Sequence, residues 1–119
     1  MCGIAGILNF SKDKVRQEQL SEMTKKMVAR GPDDDGFYLS GSLGLGFRRL
    51  SIIDVEGGHQ PLTNEDENLH LIFNGEIYNH IELRKQLIAR GHIFRTKSDA
   101  EVLLHLYEEK GVKALEDLN

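Results

Sequence analysis

Cysteine is all but missing from this 119-residue chain: there is one, Cys2, directly behind the initiator methionine. A single thiol cannot close an intrachain disulfide, which excludes a small secreted module stapled by such bonds. Basic charge is not in excess either. Fifteen Lys and Arg stand against nineteen Asp and Glu, a net charge of −4 with no basic stripe, so nucleic acid is not expected as a partner. No apolar run reaches transmembrane length, and no membrane partner is expected. The N-terminal apolar stretch is too short for a signal peptide and lacks a basic lead and a cleavage site, which makes cytoplasmic the expected location. Repeats, low-complexity tracts and linkers are absent from the sequence. The glycines of "GSLGLG" do not have the spacing of a dinucleotide fingerprint, and no Ser-His-Asp arrangement presents itself. The five histidines, 59, 70, 80, 92 and 105, have no ligand-like spacing, so no metal is assigned. The run Asp33, Asp34, Asp35 reads as a solvated turn.

What is present is a globular balance, 39% apolar and 29% charged, enough for one domain with a core. Residues 3–9, with Ile4, Ala5, Ile7 and Leu8, read as a buried strand. Leu20, Met23 and Met27 recur at helical spacing, predicting an amphipathic helix over 16–29 that Gly31-Pro32 stops. "RGPDDDG" is a turn-rich connector into a short strand near 37–39. Residues 42–54, "SLGLGFRRLSIID", alternate like a strand whose glycines either bulge it or admit something to its backbone. "GGHQPLTNEDEN" is a polar loop, and "LHLIFN" a strand. Helices are predicted over 79–91, with an Asn79–Glu82 capping box and Gly91 at its end, and over 98–111, with a Ser98–Glu101 cap and Gly111 at its end. A last short helix, 112–119, has no stop signal, and the expectation is a domain incomplete at its C-terminus. Strands and helices in blocks indicate a mixed α+β domain.

Four places can carry chemistry. Removal of Met1 would give Cys2 both a thiol and a free α-amine. Such groups ordinarily titrate at about 8.5 and about 7.7–8.0, so the amine can take the thiol's proton near neutral pH. The plainer reading of Cys2 is a small buried hydrophobe. In "FNGEIYN", Asn74-Gly75 is either a hairpin turn or a side-chain amide and a backbone N–H aimed at one oxyanion. Arg48 and Arg49 face opposite ways on a strand: one can grip a carboxylate from inside, or both can be a surface pair. Asp99, in the first turn of a helix, is by default a cap, and alternatively receives an ammonium.

Taken in order, "MCGIAG", "RGPDDDG", "FRRLSIID", "GHQPL", "NGEIYN" and "SDAEV" resemble the glutaminase domain of glutamine-hydrolysing asparagine synthetases, a class II glutamine amidotransferase among the N-terminal nucleophile hydrolases. The resemblance covers essentially all of residues 1–119. It implies a four-layer αββα sandwich. Cys2 would be the nucleophile, and its α-amine the proton carrier. Asn74 and Gly75 would hold the oxyanion, and Arg49 the α-carboxylate of L-glutamine. Asp99 and Glu76 would hold its ammonium, with Leu50, Ser51, Ile52 and Ile53 lining the pocket. No cofactor is implied in this domain. ATP and Mg2+ belong to a C-terminal synthetase domain, the implied partner, where aspartate becomes asparagine; a homodimer is also admitted. Two other readings remain: a non-catalytic glutamine-binding or assembly module, and a synthetase acting on a different acceptor. Phe47 departs from the histidine that many members carry.

Overall fold

The computed structural model describes residues 1–50 and 58–119, which fall into two units. The first holds residues 1–50, 59–61 and 72–74 of those described. Its centre is an antiparallel sheet of β1 (Gly3–Leu8), β2 (Asp34–Ser40) and β3 (Leu43–Arg49), in the order β1-β3-β2. The register pairs Gly3 with Arg48 and Asp34 with Arg49, without a bulge through β3. The glycines of β3 therefore serve approach. A Cβ on Gly44 would fall 2.7 Å from Leu20 and Val15, and one on Gly46 2.8 Å from Thr24. Helix α1 (Gln17–Lys25) lies directly against the glycine backbone, with Leu20 and Thr24 fully buried.

Two expectations change here. α1 stops at Lys25, short of residue 29; turn bonds such as Met27 N–H to Thr24 O (2.9 Å) and Arg30 N–H to Met27 O (2.9 Å) then carry the chain to Gly31. β1 is covered on one face only, since strand alternation leaves Ile4 and Leu8 about half exposed.

The second unit holds residues 58, 62–71 and 75–119 of those described. β4 (Leu62–Thr63) pairs antiparallel with β5 (His70–Leu71). Their loop is organised by buried Asn64, whose Oδ1 accepts from the N–H groups of Asn68 (3.1 Å) and Leu69 (3.0 Å). The strand predicted over 69–74 is only two residues long. Beyond it Phe73 N–H donates to the Gln60 side chain (2.6 Å) rather than to a neighbouring strand. α2 (His80–Ala89) and α3 (Ala100–Lys110) pack through Leu83 and Leu87 and through Val102, Leu104 and Leu106. Gly91 and Gly111, both at positive φ, follow them as expected.

The predicted caps form only in part: Ser98 Oγ accepts from Ala100 N–H (3.3 Å), as a helix cap does, but Asn79 makes no cap bond and Glu101 does not close the box. Asn79 uses its side chain on Asp117 O (2.8 Å) and Asn119 N–H (3.0 Å). Glu101 reaches back past Ser98, accepting from Arg95 N–H (2.7 Å) and from the N–H and hydroxyl of Thr96 (2.8 and 2.6 Å). The last helix is a 3-10 helix, Gly111–Asp117, with Ala114 buried and Leu115 exposed. The chain is thus α+β, with two antiparallel sheets and three α-helices among the described residues.

Candidate active site

The start of β1, the end of β3 and the start of β2 meet at one edge of the sheet, because Gly3 pairs with Arg48 and Arg49 with Asp34. Cys2 stands one residue before β1 and Leu50 one residue after β3. The Leu50 N–H donates to Cys2 Sγ (3.4 Å), and the thiol lies 3.7 Å from Leu50 O as donor. Cys2 is half-buried, so it is neither a frayed terminus nor a sealed core residue.

Arg49 is buried, 6% exposed, at this same edge. Arg48, on the opposite strand face, donates to Gly31 O (2.8 Å) and Pro32 O (3.5 Å) and pairs with Asp35 (3.8 Å). Neither arginine is an exposed surface residue, which sets that reading aside. Arg30, not singled out from the sequence, donates from Nε to Cys2 O (3.4 Å). Its signal was its place at the head of "RGPDDDG".

The glycines of that motif are close-approach positions. A Cβ on Gly31 would fall 2.4 Å from the Arg48 carbonyl carbon, and one on Gly36 1.8 Å from Gln60 O. His59 pairs with Asp34 at 2.5 Å. Buried Gln60 therefore has its backbone against Gly36 of β2 and its side chain on Phe73 N–H, one residue before Asn74. In this way "RGPDDDG", "GHQP" and the strand end that precedes "NG" are fastened to one another.

Asn74 is the exposed last residue of the first unit; Gly75 and Glu76, also exposed, belong to the second. Asn74-Gly75 lies between β5 and α2, and β5 pairs back to β4, so it is not the turn of a hairpin. Asp99 is buried at the N-cap of α3, yet its side chain makes no cap bond. Its Oδ2 accepts from Ile77 N–H (2.8 Å), two residues past Gly75. Asp99 thereby holds the backbone at Ile77, within the second unit. Leu50 is described and half-buried, while Ser51, Ile52 and Ile53 lie outside the described residues.

A half-buried thiol against a backbone N–H, at the same end of the sheet as a buried arginine, is a suitable nucleophile for a carbonyl carbon. The family model for the glutamine amidotransferase domain matches residues 1–119. The chain belongs to that family. It is a class II glutamine amidotransferase domain of the type found in the N-terminal part of glutamine-hydrolysing asparagine synthetases. The domain is 52% identical to asparagine synthetase (glutamine-hydrolyzing) 1 of Bacillus subtilis over 110 residues, 90% of this chain and 17% of that protein. It is 50% identical to a probable asparagine synthetase (glutamine-hydrolyzing) of Dictyostelium discoideum over 93% of this chain and 20% of that protein. With asparagine synthetase (glutamine-hydrolyzing) 1 of Arabidopsis thaliana it shares 46% identity over 100% of the chain and 20% of that protein. The amidotransferase domain thus spans about a fifth of the length of the curated relatives it matches.

Proposed function

We propose that this domain hydrolyses L-glutamine to glutamate and ammonia, and that residues 1–119 are the glutaminase portion of an enzyme that uses the ammonia to convert aspartate to asparagine. The observation that carries the reading is the position of Cys2. The only thiol of the chain sits at a sheet edge against the Leu50 peptide, beside buried Arg49.

Loss of Met1 bares the α-amine of Cys2, which takes the thiol's proton. The sulfur attacks the side-chain amide carbon of glutamine. The oxyanion that forms is held by the Asn74 side-chain amide and the Gly75 N–H. The proton passes from the α-amine to the leaving nitrogen, ammonia departs, and a glutamyl thioester remains. Water, deprotonated by the same amine, attacks the thioester; glutamate leaves and the thiol is restored. Arg49 grips the substrate carboxylate, and Glu76 and Asp99 its ammonium, with Leu50, Ser51, Ile52 and Ile53 along the pocket. The resemblance also carries the four-layer αββα sandwich and the assignment of ATP and Mg2+ to the remainder of the longer enzyme; a cytoplasmic location is proposed from the sequence.

Intact mass of the purified protein should show Met1 removed, and a glutamine-mimicking electrophile should add once, on Cys2. Cys2→Ala should lose both labelling and ammonia release. Active protein that keeps Met1 overturns the mechanism. Calorimetric glutamine binding with no ammonia release by the processed protein favours a binding module instead.

A further inference from the structure

The second unit gathers four side chains from three segments: Glu65 from the β4–β5 loop, His92 from just past α2, and His105 with Glu108 from α3. One ligand-capable atom of each lies within 4.8 Å of all the others. His105 is 1% exposed, yet neither of its ring nitrogens makes a hydrogen bond among the described residues, and neither does Glu65 Oε2. Buried polar atoms almost always have partners. Here two of those orphan atoms, His105 Nδ1 and Glu65 Oε2, face each other at 3.3 Å without hydrogen-bond geometry.

The donor atoms surround one point somewhat more loosely than a closed coordination shell, so an ion would draw them together. His92 Nδ1 lies 3.7 Å from Glu108 Oε2, and His105 Nδ1 lies 3.8 Å from Glu108 Oε2 and 3.3 Å from Glu65 Oε2. Four ligands at about 2.0–2.1 Å from a tetrahedral ion are about 3.3–3.4 Å apart along each edge. Both histidines turn Nδ1 toward this point and Nε2 away, each toward a further carboxylate. His92 Nε2 is 3.1 Å from Glu109, and His105 Nε2 is 3.6 Å from Glu101. Such outer carboxylates orient imidazole ligands and raise their basicity. Glu101 is itself pinned by Arg95 and Thr96, Glu109 by Arg90 at 2.6 Å, and Glu65 Oε1 takes the Ile93 N–H (2.8 Å), which leaves Oε2 free.

From this geometry we propose that Glu65, His92, His105 and Glu108 bind a zinc-class divalent ion that staples the β4–β5 loop to α3 and to the segment after α2. Two imidazoles with two carboxylates suit zinc, whereas calcium and magnesium require shells of oxygen. None of the four ligands is among the residues assigned to glutamine.

The test measures zinc by mass spectrometry in the native-length protein after loading and dialysis, alongside the variants His92→Gln and Glu108→Gln. Both residues lie nearer the surface than His105, so these variants keep the fold, as circular dichroism would verify. Wild type should hold one equivalent more zinc than either variant, and cobalt substitution should give it the visible absorption of a tetrahedral site, absent in both. Cys2→Ala should leave the count unchanged. Equal zinc in wild type and the folded variants, or none in any of them, overturns the proposal in favour of a protonated ion-pair network. Loss of zinc with Cys2→Ala overturns it by placing the metal on the thiol. Ammonia release from glutamine enters none of these readings.

Discussion

Asn74 is exposed, follows a peptide N–H fastened to Gln60, and carries the side-chain amide assigned to the oxyanion. Asn74→Ala therefore removes a transition-state contact without opening a cavity. Loss of one such donor typically costs about 2.7–4 kcal/mol, or about 10²–10³-fold in kcat. Steady-state ammonia release should show that fall with KM for glutamine nearly unchanged. Arg49 differs in both burial and role. A guanidinium meets a carboxylate with two parallel hydrogen bonds and a lysine ammonium does not, so Arg49→Lys should raise KM for glutamine by about tenfold or more. Because a ground-state contact is lost, kcat should change less than KM. A fall in kcat alone would assign Arg49 to the transition state and contradict carboxylate capture.

At the scale of elements, the sheet edge beside Cys2 is built by backbones in contact. A methyl group on Gly36 would overlap Gln60 O at 1.8 Å, and one on Gly31 would fall 2.4 Å from the Arg48 carbonyl carbon. Neither obstacle is a flexible side chain. Gly31→Ala and Gly36→Ala should each cost about 1–3 kcal/mol or more, read as a lowered Tm in thermal unfolding. Gly41→Ala meets nothing within 4 Å and pays only for its positive φ, so it serves as the milder control. This explains what could be read in the sequence. β1, α1, α2 and α3 were legible because their apolar spacing and terminal glycines act locally. The length of β5, the end of α1 and the partners of Glu101 and Asp99 were not, because each is decided by a group far along the chain. Glu101 reads as half of a capping box until the loop at Arg95 and Thr96 offers it three donors. Asp99 reads as a helix cap until Ile77 N–H arrives from 22 residues away. Histidine spacing is equally silent about the pair His92 and His105, which meet through tertiary packing, with ring centroids 4.8 Å apart.

Across the whole molecule, charge and composition exclude more than they identify, and function rests on a chain that spans about a fifth of its relatives. That ratio has a consequence under the proposed reading. If residues 1–119 only liberate ammonia, the step that consumes it lies elsewhere in the native-length enzyme and does not need Cys2. Cys2→Ala protein of native length should then form no asparagine from aspartate, ATP and glutamine. Supplied with ammonium salt in place of glutamine, it should form asparagine at the wild-type rate, because free ammonia replaces the product of the missing reaction. Chromatographic assay of asparagine under the two nitrogen sources gives both numbers from one preparation. Equal loss with both sources would mean that Cys2 supports the fold or the synthetic step, and equal retention would mean that glutamine is opened by another group. The split outcome alone fits a thiol whose task is confined to the hydrolysis of glutamine.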